Sequence, residues 1–193
     1  MRDKRFSVSV APLTYIVFAF GIVLLPLHLF FAWTLAVIVH ECGHLVACRL
    51  CGIGKYEIRI HPYGMRISTE GLPILQQLIT SLAGPITGLV VLCFARWCPV
   101  IAIFSLALSV FNLLPLADSD GYHALHCVLC LFASVDFADR ACQIADIVSR
   151  LMLWFATAYI SWVLYWPVGI VVCILLLCRT KRKSCKEATL RVQ

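Results

Sequence analysis

The segment His40-Glu41-Cys42-Gly43-His44 has the residue types and the spacing of a hydrolytic metal site. On a helix, residues four apart share one face, so His40 and His44 can both offer an imidazole nitrogen to one metal ion. Glu41 is rotated by about 100° from His40 and by about 60° from His44, which brings its carboxylate within reach of a water on that metal. This H-E-x-x-H pattern is typical of zinc hydrolases, in which the glutamate is the general base.

A third metal ligand must come from another part of the chain, because a catalytic zinc ion usually has three protein ligands and one open position. Two acids, Asp118 and Asp120, follow a later apolar run closely. A carboxylate suits zinc, and His₂-Asp with an open position is a hydrolytic arrangement. Spacing alone does not choose between the two acids, and both could instead be solvated loop residues.

The composition indicates an integral membrane protein. Of the 193 residues, 62% are apolar and 13% charged, and long apolar runs satisfy their own backbone hydrogen bonds as helices. Two histidines and a glutamate inside such a run would be costly without a function. The net charge of +6 comes from lysine and arginine clusters beside apolar runs, which mark the cytoplasmic side and do not indicate a nucleic acid partner. The eleven cysteines lie mostly in or beside apolar runs and indicate no disulfide framework.

Hydropathy predicts an all-α polytopic membrane protein with about six transmembrane helices, as one integral membrane domain over residues 1–193 with no appended soluble domain. The predicted spans are about residues 10–26, 29–50, 72–96, 99–114, 149–164 and 167–179. Both termini then lie in the cytoplasm, on the same side as the H-E-x-x-H segment and the loop with Asp118 and Asp120. Residues 115–147 are predicted as a break in hydrophobicity, with an apolar piece at 126–133 that is too short to cross.

A small β-hairpin is predicted at the membrane surface after the second span. Residues 55–61 alternate between apolar and polar side chains, and Pro62-Tyr63-Gly64 is a turn signal. The hairpin could be a simple connector, or its first strand could hold an extended substrate peptide by strand addition.

The third predicted span contains Gly84 and Gly88, which form a G-x-x-x-G face where another helix can come close. Pro85 lies between them and removes a helical hydrogen bond, so it should bend the span. The two glycines could serve helix packing alone or could also shape the cleft of the candidate site.

Together, these motifs resemble the site-2 protease family of intramembrane zinc metalloproteases. The resemblance rests on H-E-x-x-H in the second apolar segment and on Asn112-x-x-Pro115 followed by Asp120-Gly121. The six-span layout, the hairpin and the Ser-Leu-Ala-Gly-Pro segment of the third span resemble the small sporulation factor-B-type branch of that family.

The resemblance implies Asp120 as the third zinc ligand beside His40 and His44, with Glu41 as the general base. It implies that Asn112 is a catalytic-site residue that contacts the substrate or the oxyanion. The implied reaction uses one catalytic Zn²⁺ and hydrolyses a peptide bond in or next to a transmembrane segment of a membrane-anchored protein, for example a regulatory protein. The implied location is the lipid bilayer, and the small chain fits a bacterial inner membrane. A homo-oligomer or a regulatory membrane subunit is compatible with this interpretation.

The chain also departs from the family pattern. Gly88 stands where relatives often have asparagine, and Ser119 and Tyr122 replace a leucine and a glycine around Asp120. These changes remove no metal ligand, but they bear on the shape of the cleft. Two alternatives remain for the same residues: a membrane zinc carrier that binds the ion transiently, and a non-proteolytic membrane partner.

Overall fold

The computed structural model describes residues 7–10, 19, 21–23, 25–53, 57–61, 64–68, 72–117 and 119–164. The helices are α1 (Leu27–Leu50), α2 (Ile74–Val90), α3 (Pro99–Leu113), α4 (Asp120–Phe132) and α5 (Val135–Leu164), and the strands are β1 (Ser7–Val10), β2 (Glu57–His61) and β3 (Gly64–Ser68). The chain divides into two compact units, Met1–Cys142 and Gln143–Gln193. The prediction of a single domain over residues 1–193 stays a prediction.

Within the described part of the chain, three helical stretches are long and apolar enough to cross a membrane: Leu27–Leu50, Ile74–Phe94 and Val135–Val163. The second of these is α2 followed by one turn of 3-10 helix, and the shorter α3 is also apolar. Each of the three exceeds the roughly 20 residues that cross the hydrocarbon region of a bilayer. The first predicted span lies mostly, and the sixth entirely, outside the described residues, so the six-span arrangement stays a prediction.

The helix boundaries predicted after residue 114 need correction. The helix predicted to begin near residue 149 begins at Val135 instead, and with α4, which begins at Asp120, it makes most of the predicted break in hydrophobicity at 115–147 helical. Charged side chains disfavour burial in lipid, but they do not disfavour a helix. Asp146 shows this within α5, since its carboxylate pairs at 2.9 Å with Arg150 one helical turn later.

The three strands form one sheet in the order β1-β2-β3. β2 pairs antiparallel with β3 and parallel with β1, so that Ile58 has Ile67 on one side and Val8 on the other. Both hydrogen-bonding edges of β2 are therefore occupied, so the alternative in which this strand binds a substrate peptide by strand addition is not available. The position of the hairpin at a membrane surface stays a prediction.

Small side chains fill the contacts among the helices of the first unit. α1 packs against α2 and α3, and α2 also packs against α3 and α4. Ala36 on α1 and Ala102 on α3 are buried, whereas the larger Leu35, Ile38 and Ile103 on the same helices are exposed. Small residues inside and large apolar residues outside are typical of helices that associate within lipid.

Gly84 and Gly88 allow α2 to approach two different helices. A Cβ at Gly84 would collide with the imidazole of His44 on α1, and a Cβ at Gly88 would collide with the hydroxyl of Ser109 on α3. The G-x-x-x-G face thus packs against both neighbours at once. Its Gly84 end also lies against His44, a residue of the candidate site, so this face packs helices and contacts a candidate ligand.

Candidate metal centre

α1 positions two of the candidate ligands. His40 and His44 lie one turn apart in the C-terminal half of this helix and are 2% and 8% exposed. Their Nε2 atoms are 3.4 Å apart. The four-residue spacing therefore brings two imidazole nitrogens to one buried point.

α4 supplies a carboxylate to the same point. Asp120 is the first residue of α4, and its Oδ2 lies 3.1 Å from Nε2 of His40 and 3.3 Å from Nε2 of His44. Its side chain is 22% exposed, which leaves one side of the group open to approach. Asp118, the other acid that the sequence left open, lies outside the described residues.

The triangle formed by these three atoms has the dimensions of a zinc coordination sphere. Its edges measure 3.1, 3.3 and 3.4 Å. Tetrahedral zinc with bonds of about 2.0–2.1 Å to nitrogen and oxygen places its ligand atoms about 3.3 Å apart. Among the described residues, the His, Cys, Asp or Glu side chains that lie close enough together to hold one metal ion are those of His40, His44 and Asp120. The residues therefore fit one zinc ion with a fourth position left for water.

The hydrogen bond of His44 favours a positive charge between this histidine and Asp120. Nδ1 of His44 lies 2.7 Å from the carbonyl oxygen of Thr80, and a carbonyl only accepts, so Nδ1 carries the proton. In a neutral imidazole Nε2 is then an acceptor, and it faces the carboxylate oxygen of Asp120 at 3.3 Å. Two acceptors at this distance repel each other unless a metal ion or an additional proton lies between them.

The ionisation of Asp120 suits a metal ligand. Burial raises the pKa of this carboxyl group, but hydrogen bonds with His40 and His44 and the charge of both imidazoles outweigh it and lower the pKa to about 2. Asp120 is therefore ionised at neutral pH when the imidazoles are protonated, and a metal ion bound at their Nε2 atoms would supply the same positive charge to this carboxylate.

Glu41 and Asn112, the two predicted catalytic residues, occupy different helices. Glu41 follows His40 directly on α1, and its Oε2 atom is buried. Asn112 lies in the last turn of α3, where its Nδ2 donates to the carbonyl of Leu108 at 3.1 Å. The roles of Glu41 as base and of Asn112 in contacting substrate or oxyanion stay predictions.

Two contributors to the site escape the sequence analysis. Thr80 acts through its main-chain carbonyl, which no side-chain pattern reveals. Ser119 precedes Asp120 and caps α4 by accepting from the main-chain nitrogen of Tyr122 at 3.2 Å. A serine just before a helical segment is an N-cap signal that could have identified this residue.

The fold is similar to that of a solved protease. The chain resembles the site-2 protease from Methanocaldococcus jannaschii, with a TM-score of 0.61 and 19% sequence identity over 91% of this chain and 89% of that one. No family sequence model matches the chain, and no curated protein matches it. The likeness shows a shared fold. It does not distinguish the sporulation factor-B-type branch, which stays a prediction.

Proposed function

We propose that this chain is an intramembrane zinc metalloprotease of the site-2 type. It would hydrolyse a peptide bond in or next to a transmembrane segment of a membrane-anchored protein. The observation that carries the proposal is that the ligand atoms of His40, His44 and Asp120 lie as far apart as the ligand atoms of one zinc ion do. Its support is the fold shared with a site-2 protease and the three helices long enough to span a bilayer.

Each candidate residue has a role in this reaction. His40, His44 and Asp120 hold the ion, which supplies Lewis acidity to a water molecule and to the substrate carbonyl when bound. Glu41 takes a proton from the attacking water and delivers it to the leaving amine. Asn112 contacts the substrate or the oxyanion.

The substrate must change its conformation before it can react. The carbonyl groups of a transmembrane helix are hydrogen-bonded within that helix, so the scissile segment has to unwind before Glu41 and the metal site can act on it. We propose that both termini lie in the cytoplasm, and the distribution of basic residues supports this orientation. A bacterial inner membrane is the proposed location.

The alternative function is a membrane zinc carrier that uses the same ligands. A carrier must release its ion readily, whereas His40 and His44 are almost fully buried and the hydrogen bond to Thr80 holds the His44 ring. These features favour a fixed catalytic ion over a transported one.

The test compares proteolysis with zinc transport in vesicles that contain the full chain and a single-span test substrate. We expect the wild-type protein to cleave the substrate without moving zinc. Glu41→Gln should bind zinc and cleave nothing, while Asp136→Asn, which alters an exposed acid on α5, should cleave normally. Cleavage by Glu41→Gln at the wild-type rate would refute the mechanism, and zinc flux without cleavage would favour the carrier.

A further inference from the structure

We infer that Ser119 is a positioning residue that holds Asp120 in place as the third metal ligand; the inference rests on the metal-binding part of the proposed function. Ser119 stands where the resembling family often has leucine, so its hydroxyl is a feature of this chain. The residue contacts no reacting group, and it acts through Asp120.

The Ser119 hydroxyl joins two segments that meet beside the site. Its Oγ accepts from the main-chain nitrogen of Tyr122 in the first turn of α4, at 3.2 Å. The same Oγ lies 2.6 Å from the carbonyl oxygen of Leu114 and 2.7 Å from that of Leu116, in the loop that leaves α3. The residue is only 3% exposed, so water does not readily replace these bonds.

The residue after Asp120 is held from the other side. Gly121 packs so closely on the end of α3 that a Cβ there would collide with the carbonyl of Leu113. The backbone of Asp120 is therefore fixed between Ser119, which is tied to the loop, and Gly121, which is pressed against α3. Metal ligands have to be held within about 0.2 Å of their coordination distances. The contacts of Ser119 and Gly121 provide that constraint for Asp120, which unlike His40 and His44 does not lie on α1.

The three contacts require a group that donates and accepts at the same atom. A hydroxyl does both, because its one proton can be shared between the two carbonyls while its oxygen accepts from the nitrogen of Tyr122. Alanine can do neither, and an ionised aspartate would cap the helix but would repel the carbonyls of Leu114 and Leu116. Threonine keeps the hydroxyl and is the conservative replacement.

The experiment measures zinc affinity of the full chain in detergent micelles by competition with a chelator, together with the visible spectrum of the Co²⁺-loaded protein. Ser119→Ala should weaken zinc binding about 10- to 100-fold, the usual effect of removing a group that orients a metal ligand, and should change the Co²⁺ spectrum. Ser119→Thr should restore both. Ser134→Ala is the matched control, because Ser134 precedes α5 and its Oγ accepts from the main-chain nitrogen of Phe137 at 3.4 Å; it should leave both unchanged.

A further variant separates positioning from loss of the helix cap. Glycine is nearly as good an N-cap as serine, so Ser119→Gly keeps the start of α4 but loses the tie to the loop, and it should weaken zinc binding as Ser119→Ala does. Wild-type affinity and an unchanged Co²⁺ spectrum in either variant would overturn the inference, as would an equal loss in Ser134→Ala. If the wild-type chain binds zinc but cleaves nothing, the protease proposal fails, but the zinc affinities of the Ser119 variants still test the positioning role. If Ser119→Ala binds zinc normally, only the Ser119 inference fails.

Discussion

Replacement of Gly84 by alanine is the most informative change next to the candidate metal centre. A Cβ at this position would lie 2.6 Å from Cε1 and 2.7 Å from Cδ2 of His44, and closer still to Nε2, the proposed ligand atom. Ordinary van der Waals contact begins at 3.4 Å. The imidazole would therefore have to retreat, or α1 and α2 would have to move apart.

The size of the displacement sets the expected effect. The distance to Cε1 alone falls about 0.8 Å short of ordinary contact, and Nε2 has to move further than that, whereas a metal ligand tolerates about 0.2 Å. The same movement would stretch the 2.7 Å hydrogen bond from His44 to the Thr80 carbonyl, so the ring would also lose its orientation. We expect zinc affinity to fall by at least about 100-fold, equivalent to ~2.7 kcal/mol.

The assay is chelator competition on the purified full chain, with Gly88→Ala as the matched control. Gly88 lies one turn further along α2 and is equally buried, but its Cβ would meet the Ser109 hydroxyl instead of a ligand. Both variants should lower the thermal stability of the metal-free protein, because both force a helix contact apart. Only Gly84→Ala should also lose zinc. Wild-type zinc affinity in Gly84→Ala, or an equal loss in Gly88→Ala, would refute the assignment of His44 as a ligand.

Three further changes test other parts of the account. Asp120→Asn should weaken zinc binding by about 100-fold or more, because it replaces an anionic ligand by a neutral amide. Asp139→Asn, at an exposed acid paired with His126, should leave zinc binding unchanged. Equal zinc affinities of these two variants in chelator competition would contradict this prediction. Removal of zinc by a chelator should stop cleavage and lower the melting temperature, and zinc at 100 times its Kd should restore about 2.7 kcal/mol of stability; an unchanged melting temperature would argue against a bound ion. Leu116→Ala, in the buried loop before Asp120, should cost about 2–5 kcal/mol of unfolding free energy, and Leu106→Ala, at an exposed position on α3, should cost much less.

Local patterns predict the part of the site that lies on one helix. His40 and His44 meet because they are four residues apart on α1, and that geometry follows from the helical repeat alone. Asp120 is distant in sequence, so its meeting with the histidines depends on how α3 and α4 turn back towards α1. Spacing left Asp118 and Asp120 open, and the family resemblance was needed to choose between them.

Other features depend on contacts that a single sequence does not encode locally. The Thr80 carbonyl belongs to the main chain, so no residue type marks it as a hydrogen-bond acceptor for His44. The pairing of β1 with β2 joins distant segments, so the local pattern that predicts the hairpin leaves open whether β2 has a free edge. Hydropathy does not predict the start of α5 at Val135, because a hydropathy average registers charge, whereas helix formation depends on backbone preference.

X-ray absorption at the zinc edge, on the full chain loaded with one equivalent of zinc, identifies the ligands of the metal centre. We expect four nitrogen or oxygen neighbours at about 2.0–2.2 Å, with the multiple-scattering signature of two imidazoles and no sulfur. The chain has eleven cysteines, so zinc bound elsewhere would be expected to show sulfur ligands. Sulfur neighbours at about 2.3 Å, or a chain that retains no zinc, would contradict the assignment of His40, His44 and Asp120 as the metal centre.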